Sequence, residues 1–262
     1  MKVKLLTAGF LLFFSMNSLG TTLSQEKFKN AAKKIRMVFL MKNHDSIKSA
    51  GYASTPTQPL GPFYPVDFPF DTDNDLTKLG ENGKKALGTT IEVHGVVKGT
   101  DGKLIPNAKV EIWQACSTGR YDHPGDRNEA AEKDENFQYY GFSITKEKGK
   151  YGFRTIFPGP YPASPTWWRP PHIHFLVTAE GYQPLVTQLY FHGNSFKSVV
   201  ANVPSMGKIK SEQINELNAK EPHLSRLSET DQKKLVVPFG LFKDQESTVV
   251  YKGSFNLFLE KE

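Results

Sequence analysis

Trp168-Arg169-Pro170-Pro171-His172-Ile173-His174-Phe175-Leu176-Val177-Thr178 joins a proline-stiffened entry to an apolar run that reads as a β-strand. Successive side chains of a strand point to opposite faces, so His172 and His174 share one face, about 7 Å apart at Cα. Two imidazoles placed in this way can grip one metal ion, although such an alternation taken alone is more often a structural or surface pair. Just upstream, Pro158, Pro160, Pro162 and Pro165 deny the chain helical hydrogen bonds and hold it extended, so Tyr161 among them is fixed in place.

Outward from this stretch the chain reads as all-β. Its 262 residues include 17 Pro and 21 Gly and show few long helical periods, which favours one large β body with long loops. Strands are expected from Thr90 to Val97, at His172 to Thr178, at Leu185 to Phe191, and at Ala108 to Gln114, where Val110, Ile112 and Gln114 alternate with Lys109, Glu111 and Trp113. Tyr139 to Thr145 and Tyr151 to Phe157 read as a hairpin about Lys148-Gly149. Thr248 to Tyr251 and Ser254 to Leu259 read as a last hairpin about Lys252-Gly253, and Lys208 to Asn218 as a short helix. With no internal repeat and no βαβ alternation, the strand count points to an antiparallel β-sandwich with long loops over residues 56–262. The polar loop Ala115 to Glu135 is long enough that, in a compact domain, it is expected to carry function.

Residues 1–20 carry Lys2 and Lys4, the apolar run Leu5 to Met16 and small residues up to Gly20, the pattern of a signal peptide cleaved near Thr21. The run is short for a bilayer span, so the expectation is an exported, periplasmic or secreted protein with no stable membrane anchor. A helical extension is expected over residues 21–55. There Phe28, Ala31, Ile35, Val38 and Phe39 recur at helical spacing between lysines, a face suited to packing on the domain or on a partner subunit of a homo-oligomer. Ser54 to Phe70 is a proline- and aromatic-rich arm expected to lie across the domain surface, and Asp71 to Gly83 a polar linker.

Without the two leader lysines the formal charge falls from +6 to about +4, with Lys and Glu interspersed; that is a solvated surface and not a nucleic-acid stripe. The single Cys116 cannot form an internal disulfide, so stability rests on the core and on any bound metal.

Four elements now stand together: Trp113-Gln114-Ala115 with Gly119-Arg120-Tyr121; Pro158-Gly159-Pro160-Tyr161-Pro162; Trp168 to Phe175; and Thr187-Gln188-Leu189-Tyr190-Phe191. In that order and spacing they resemble the intradiol ring-cleavage dioxygenases, the non-haem ferric enzymes that include protocatechuate 3,4-dioxygenase and catechol 1,2-dioxygenase. The resemblance covers roughly Thr57 to His192. It implies Fe(III) as cofactor with ligands Tyr121, Tyr161, His172 and His174, an active-site arginine at Arg169 and a glutamine at Gln188. It implies a protocatechuate-like catechol and O2 as substrates and a muconate-type dicarboxylate as product. In that mechanism the catechol displaces Tyr161, which leaves with a proton as general base, while Arg169 stabilises charge on the ring and Gln188 shapes the pocket.

Residue chemistry stands beside the resemblance. Phenolates are hard anionic oxygen donors suited to a trivalent ion, whereas two neutral imidazoles alone suit a divalent ion equally well. Ala163 occupies the place where protocatechuate enzymes carry a tryptophan, which implies a different substrate wall, and Gly61 to Tyr64 matches the family's Gly-Pro-Phe-Tyr arm. Two other classes remain: an exported non-catalytic β-sandwich binding module, which has no use for two tyrosines beside His-x-His, and a divalent-metal hydrolase on His172 and His174, which lacks an evident carboxylate ligand. His123, His192, Tyr139, Tyr140 and Tyr182 are expected to be structural or to line a pocket rim, and Cys116 to be packing.

Overall fold

Ile91, Val93 and Val97 alternate inward along β1 (Thr90–Gly99), and this strand is the centre of the first sheet. The computed structural model describes residues 51–204, 206–243 and 249–262. The expected signal peptide at 1–20 and the expected helical extension as far as residue 50 lie outside the described residues. Around β1 stand β4 (Lys150–Ile156), β13 (Val249–Ser254) and β14 (Leu257–Leu259), with β12 (Phe239–Lys243) on β13 at the edge. The second sheet runs in the order β11 (Val236–Val237), β8 (Leu185–Phe191), β7 (His172–Thr178), β2 (Lys109–Trp113), β3 (Tyr140–Ile144). Two ribbons, β5 (Tyr161–Ser164) with β6 (Trp167–Arg169) and β9 (Ala201–Val203) with β10 (Gly207–Ile209), complete the strands.

The sheets meet through aromatic rings. Phe175 of β7 lies 5.1 Å from Phe255 and 6.2 Å from Tyr151 of the first sheet, centroid to centroid. Ile173, Val177, Val110 and Ile112 join the same core, and each such burial contributes about 1.5–3 kcal/mol. Most strand pairs are antiparallel, as the sandwich requires. β1 departs from this by pairing parallel with β13 and β14, and β11 by pairing parallel with β8.

Four local expectations are corrected. Lys146 to Gly149 is a tight turn, but β3 pairs with β2 and β4 with β1, so the turn is a corner between layers and not the tip of a hairpin. Lys252-Gly253 lies inside β13, where Gly253 has no side chain because the Phe239 ring fills that space; a Cβ there would sit 2.6 Å from it. Asp71 to Gly83 is no linker: Leu76 is fully buried and its N–H donates to the Arg154 carbonyl. The expected helix at Lys208 to Asn218 starts later, as α1 (Ser211–Ala219), and two further short helices follow, α2 (Pro222–Ser225) and α3 (Glu229–Leu235). Among the described residues no helix is long and apolar enough to cross a membrane.

What positions the site is the outer face of the second sheet. With Ile173, Phe175 and Val177 committed to the core, strand alternation turns His172, His174 and Leu176 the other way. That face is nevertheless buried, because the arm crosses it as expected. Gln58 N–H bonds to the Val186 carbonyl, and Tyr64 packs edge-on against Trp113 at 5.0 Å. The arm is pinned by Glu111, a buried carboxylate accepting from Tyr64 Oη (3.1 Å) and Tyr140 Oη (2.6 Å) and facing Lys109 Nζ at 3.0 Å. Burial and then the Glu111 charge push the Tyr64 hydroxyl up to about 12.

Candidate metal centre

Strand register sets the first row. Trp113 of β2, His174 of β7 and Gln188 of β8 are direct cross-strand neighbours, and His172 stands opposite Tyr190. Trp113 stacks on the His174 ring at 4.8 Å and 10°. The arm closes the same imidazole from another side: Gly61, at φ 76°, comes so near that a Cβ would lie 3.0 Å from His174 Cε1. The two Nε2 atoms of His172 and His174 are 3.1 Å apart, and His172 Nδ1 donates to the Pro170 carbonyl at 2.7 Å.

Two loops bring the tyrosines onto this pair by a backbone-to-backbone contact. Gly119, at φ 86°, lies against Pro160, where a Cβ would be 2.3 Å from the carbonyl oxygen. Gly159 in turn meets the Gly119 nitrogen at a Cβ distance of 2.5 Å, and the N–H groups of both glycines donate to the Cys116 carbonyl. Only glycines allow this fit, and it carries Tyr121 and Tyr161 into edge-to-face contact at 5.4 Å. Asp126 completes the Tyr121 loop by accepting the Tyr121 N–H at 2.7 Å. Tyr161 then lies 5.7 Å from the His172 ring and Tyr121 6.4 Å from His174, so the four side chains converge. Phe63 of the arm covers Tyr121 at 4.6 Å.

Arg169, paired with Tyr161 across the small ribbon, is buried and fully engaged on one side. Its Nε donates to Glu221 Oε2 at 2.9 Å, and its Nη2 to Gln188 Oε1 at 2.6 Å and Tyr190 Oη at 3.3 Å. Gln188 also accepts from Tyr190 Oη and donates to the Pro59 carbonyl at 2.8 Å, so it links the arginine to the arm. Glu221 and Tyr190 were not singled out from the sequence. The signal available for Glu221 was its place before Pro222, a helix N-cap position, but nothing local marks an N-cap as the partner of an arginine 52 positions earlier. His123 stands at the rim, 5.6 Å from Phe63, and Tyr139 and Tyr140 are bonded into the structure. Cys116 is buried packing with its Sγ 3.1 Å from Thr118 Oγ1.

The electrostatics suit these side chains to hold a cation. Burial holds both imidazoles well below their usual range, reinforced by the Arg169 charge, so both are neutral and able to ligate. Burial raises both phenols, Tyr121 furthest, so without a nearby cation each keeps its proton. Tyr121 Oη is buried with no hydrogen-bond partner, as is His174 Nδ1; the Tyr121 and Tyr161 hydroxyls influence each other without reaching hydrogen-bond geometry. Among the described residues no group of three or more His, Cys, Asp or Glu side chains is arranged to hold a metal ion. Two ionisable oxygens and two neutral nitrogens are a donor set that fits a hard, trivalent ion better than a divalent one.

Fold and donor set together define an all-β protein with a buried tyrosine–histidine cluster on the outer face of one sheet. A family model described as dioxygenase matches residues 60–230. The protocatechuate 3,4-dioxygenase beta chain of Burkholderia cepacia is 43% identical over 125 residues, covering 47% of this chain and 53% of that one. Catechol 1,2-dioxygenase of Acinetobacter baylyi is 36% identical over 129 residues, covering 44% and 40%. The mercury-inhibited catechol 1,2-dioxygenase structure from Acinetobacter sp. ADP1 superposes with a TM-score of 0.51 at 26% identity, over 86% of this chain and 69% of that one. The chain belongs to the intradiol ring-cleavage dioxygenase family. It spans about half the length of these two curated relatives.

Proposed function

We propose that this chain is an intradiol dioxygenase that inserts O2 into a protocatechuate-like catechol, cleaving the ring between its hydroxyl-bearing carbons to give a muconate-type dicarboxylate. Fe(III) would be held by Tyr121, Tyr161, His172 and His174. The observation that carries this reading is the convergence of those four buried donors on one sheet face. Bound ferric iron would supply the positive charge that ionises the two phenols and the redox capacity for a coordinated catecholate to react with O2.

The chain's own residues do the rest. Tyr161, at the start of a two-stranded ribbon, takes a proton at Oη from a substrate hydroxyl and so acts as general base. Tyr121, anchored through its backbone to Asp126, stays in place through the cycle. Arg169 faces the anionic oxygen of the substrate, and an oriented cation in a dry site is worth about 2–4 kcal/mol to the transition state. Gln188 positions Arg169 and the arm, and Phe63 with the arm excludes water.

The test is an iron assay with a visible spectrum, combined with O2 uptake and product analysis on catechol and protocatechuate. Stoichiometric iron, a phenolate charge-transfer band and a ring-opened dicarboxylate are expected. A protein without iron affinity and without a band would return the chain to the class of binding modules.

A further inference from the structure

Glu221 is fully buried, and both of its oxygens are used. Oε2 accepts from Arg169 Nε at 2.9 Å, and Oε1 accepts the N–H of His223 at 3.1 Å, capping α2. A carboxylate in such a place is costly unless each oxygen is paired, and removing one partner strands a charge. The circuit continues. Arg169 Nη2 reaches Gln188 and Tyr190, Tyr190 Oη stands 3.2 Å from Gln58 Oε1, and Gln58 Nε2 donates to the His223 carbonyl at 3.3 Å. The ring of contacts therefore begins and ends at α2 and passes through the arm, β8 and β6.

Within that ring the guanidinium has no freedom. Nε and Nη2 are held on two edges, while Nη1 has no protein partner among the described residues. Trp167 lies 5.6 Å from the guanidinium carbon and His223 packs against Trp167 at 5.7 Å, so the plane is braced from its face as well. A planar fork fixed at Nε and Nη2 presents Nη1 in one direction only.

We propose that Glu221 is a positioning residue of the centre, acting beside Gln188: it fixes the plane of Arg169 so that Nη1 is left to meet the anionic oxygen of the bound substrate. The proposal rests on the dioxygenase reading for what Nη1 meets, though the clamp itself does not.

The discriminating variant is Glu221→Asp, which keeps the charge and the cap but withdraws the carboxylate by one methylene. Full-length protein is loaded with iron, and turnover is expressed per iron showing the visible band. Positioning predicts unchanged band and iron content, with kcat lower by about 10- to 100-fold, the usual effect of removing an orienting partner. A purely structural ion pair predicts a lower Tm with wild-type kcat per iron, and that result overturns the proposal.

A second readout needs neither iron nor turnover. In nitrogen-15-labelled metal-free protein, the Arg169 Nε–H should exchange slowly with solvent in the wild type and fast in Glu221→Asp, while core amides stay protected. Equal exchange in both proteins overturns the clamp. If the wild type cleaves no catechol, the functional reading fails, and the exchange measurement still decides the clamp.

Discussion

The Nε2 atoms of His172 and His174 lie 3.1 Å apart and point at one spot. His172 Nδ1 donates to the Pro170 carbonyl, which leaves its Nε2 as the nitrogen free to ligate. A cation at that spot is within reach of both rings. His172→Ala and His174→Ala are each expected to lose iron, while His123→Ala and His192→Ala keep it. Equal metal content in all four variants, by elemental analysis, would refute the assignment.

Colour tests the tyrosines. Iron-loaded protein should show a visible phenolate band that shifts on anaerobic addition of a catechol. Tyr161→Phe should retain a band from Tyr121 but bind and turn over substrate poorly, and Tyr121→Phe should lower iron affinity further. A band untouched in both variants would remove the tyrosines from the site.

Gly61→Ala should weaken the centre from outside it. The new methyl would meet His174 Cε1 at 3.0 Å on a backbone at φ 76°. Iron affinity is expected to fall by about tenfold or more, an effect of the size seen when a ligand's supporting contacts are lost. Gly181→Ala is the control, since φ there is 74° with nothing within 4 Å of the new Cβ. It should show backbone strain of about 1 kcal/mol in a urea melt and normal iron binding.

The metal-free protein should be most stable between about pH 6.5 and pH 10. Below the ordinary histidine value of 6.5 the unfolded chain takes protons on His172 and His174 that the buried, depressed imidazoles refuse, so stability falls as pH drops. Above 10.0 the unfolded tyrosines ionise while buried Tyr121 and Tyr161 hold their protons, so stability falls again. Urea midpoints against pH measure both limbs. His172→Gln/His174→Gln should flatten the acid limb, and an unchanged slope would show that those imidazoles are not buried neutral.

Arg169→Ala should lose about 10²-fold or more in rate through the missing cation, and it should also lose stability, because its guanidinium is paired with buried Glu221. The variant strands a buried carboxylate and should lose about 3–5 kcal/mol of stability, and adding Glu221→Gln should recover part of it. Additive losses in the double variant would mean the two residues do not interact.

The all-β class, the run of strands from Thr90 to Phe191 and the crossing arm were legible because period-two alternation and proline leave few alternatives. His172 and His174 were legible as a same-face pair for that reason. Lys252-Gly253 misled because glycine after a charged residue reads as a turn, while its real reason was the Phe239 ring. Lys148-Gly149 misled in another way: the turn exists, but only tertiary pairing says which sheet each flank joins. Glu221 was not legible as a member of the site, since its partner Arg169 lies 52 positions away and leaves no local pattern; Tyr190 stands two residues beyond Gln188 on the same strand face, but alternation alone does not tell a site hydroxyl from a packed aromatic.

The Pro59 carbonyl that receives Gln188 lies 129 positions ahead of it in the chain. The arm is held on the sheet face by single bonds such as this one and Gln58 N–H to the Val186 carbonyl, whereas the strands beneath it are joined by continuous ladders. The arm can therefore open locally while both sheets stay paired. A chain with its strands paired but its arm still loose would expose two histidines on an open sheet face, where any divalent ion could settle. Docking of residues 57–65 closes that face, so the arm decides what can reach His172 and His174. Native-state hydrogen exchange would register it as a Gln58 amide that opens at lower free energy than those of β7.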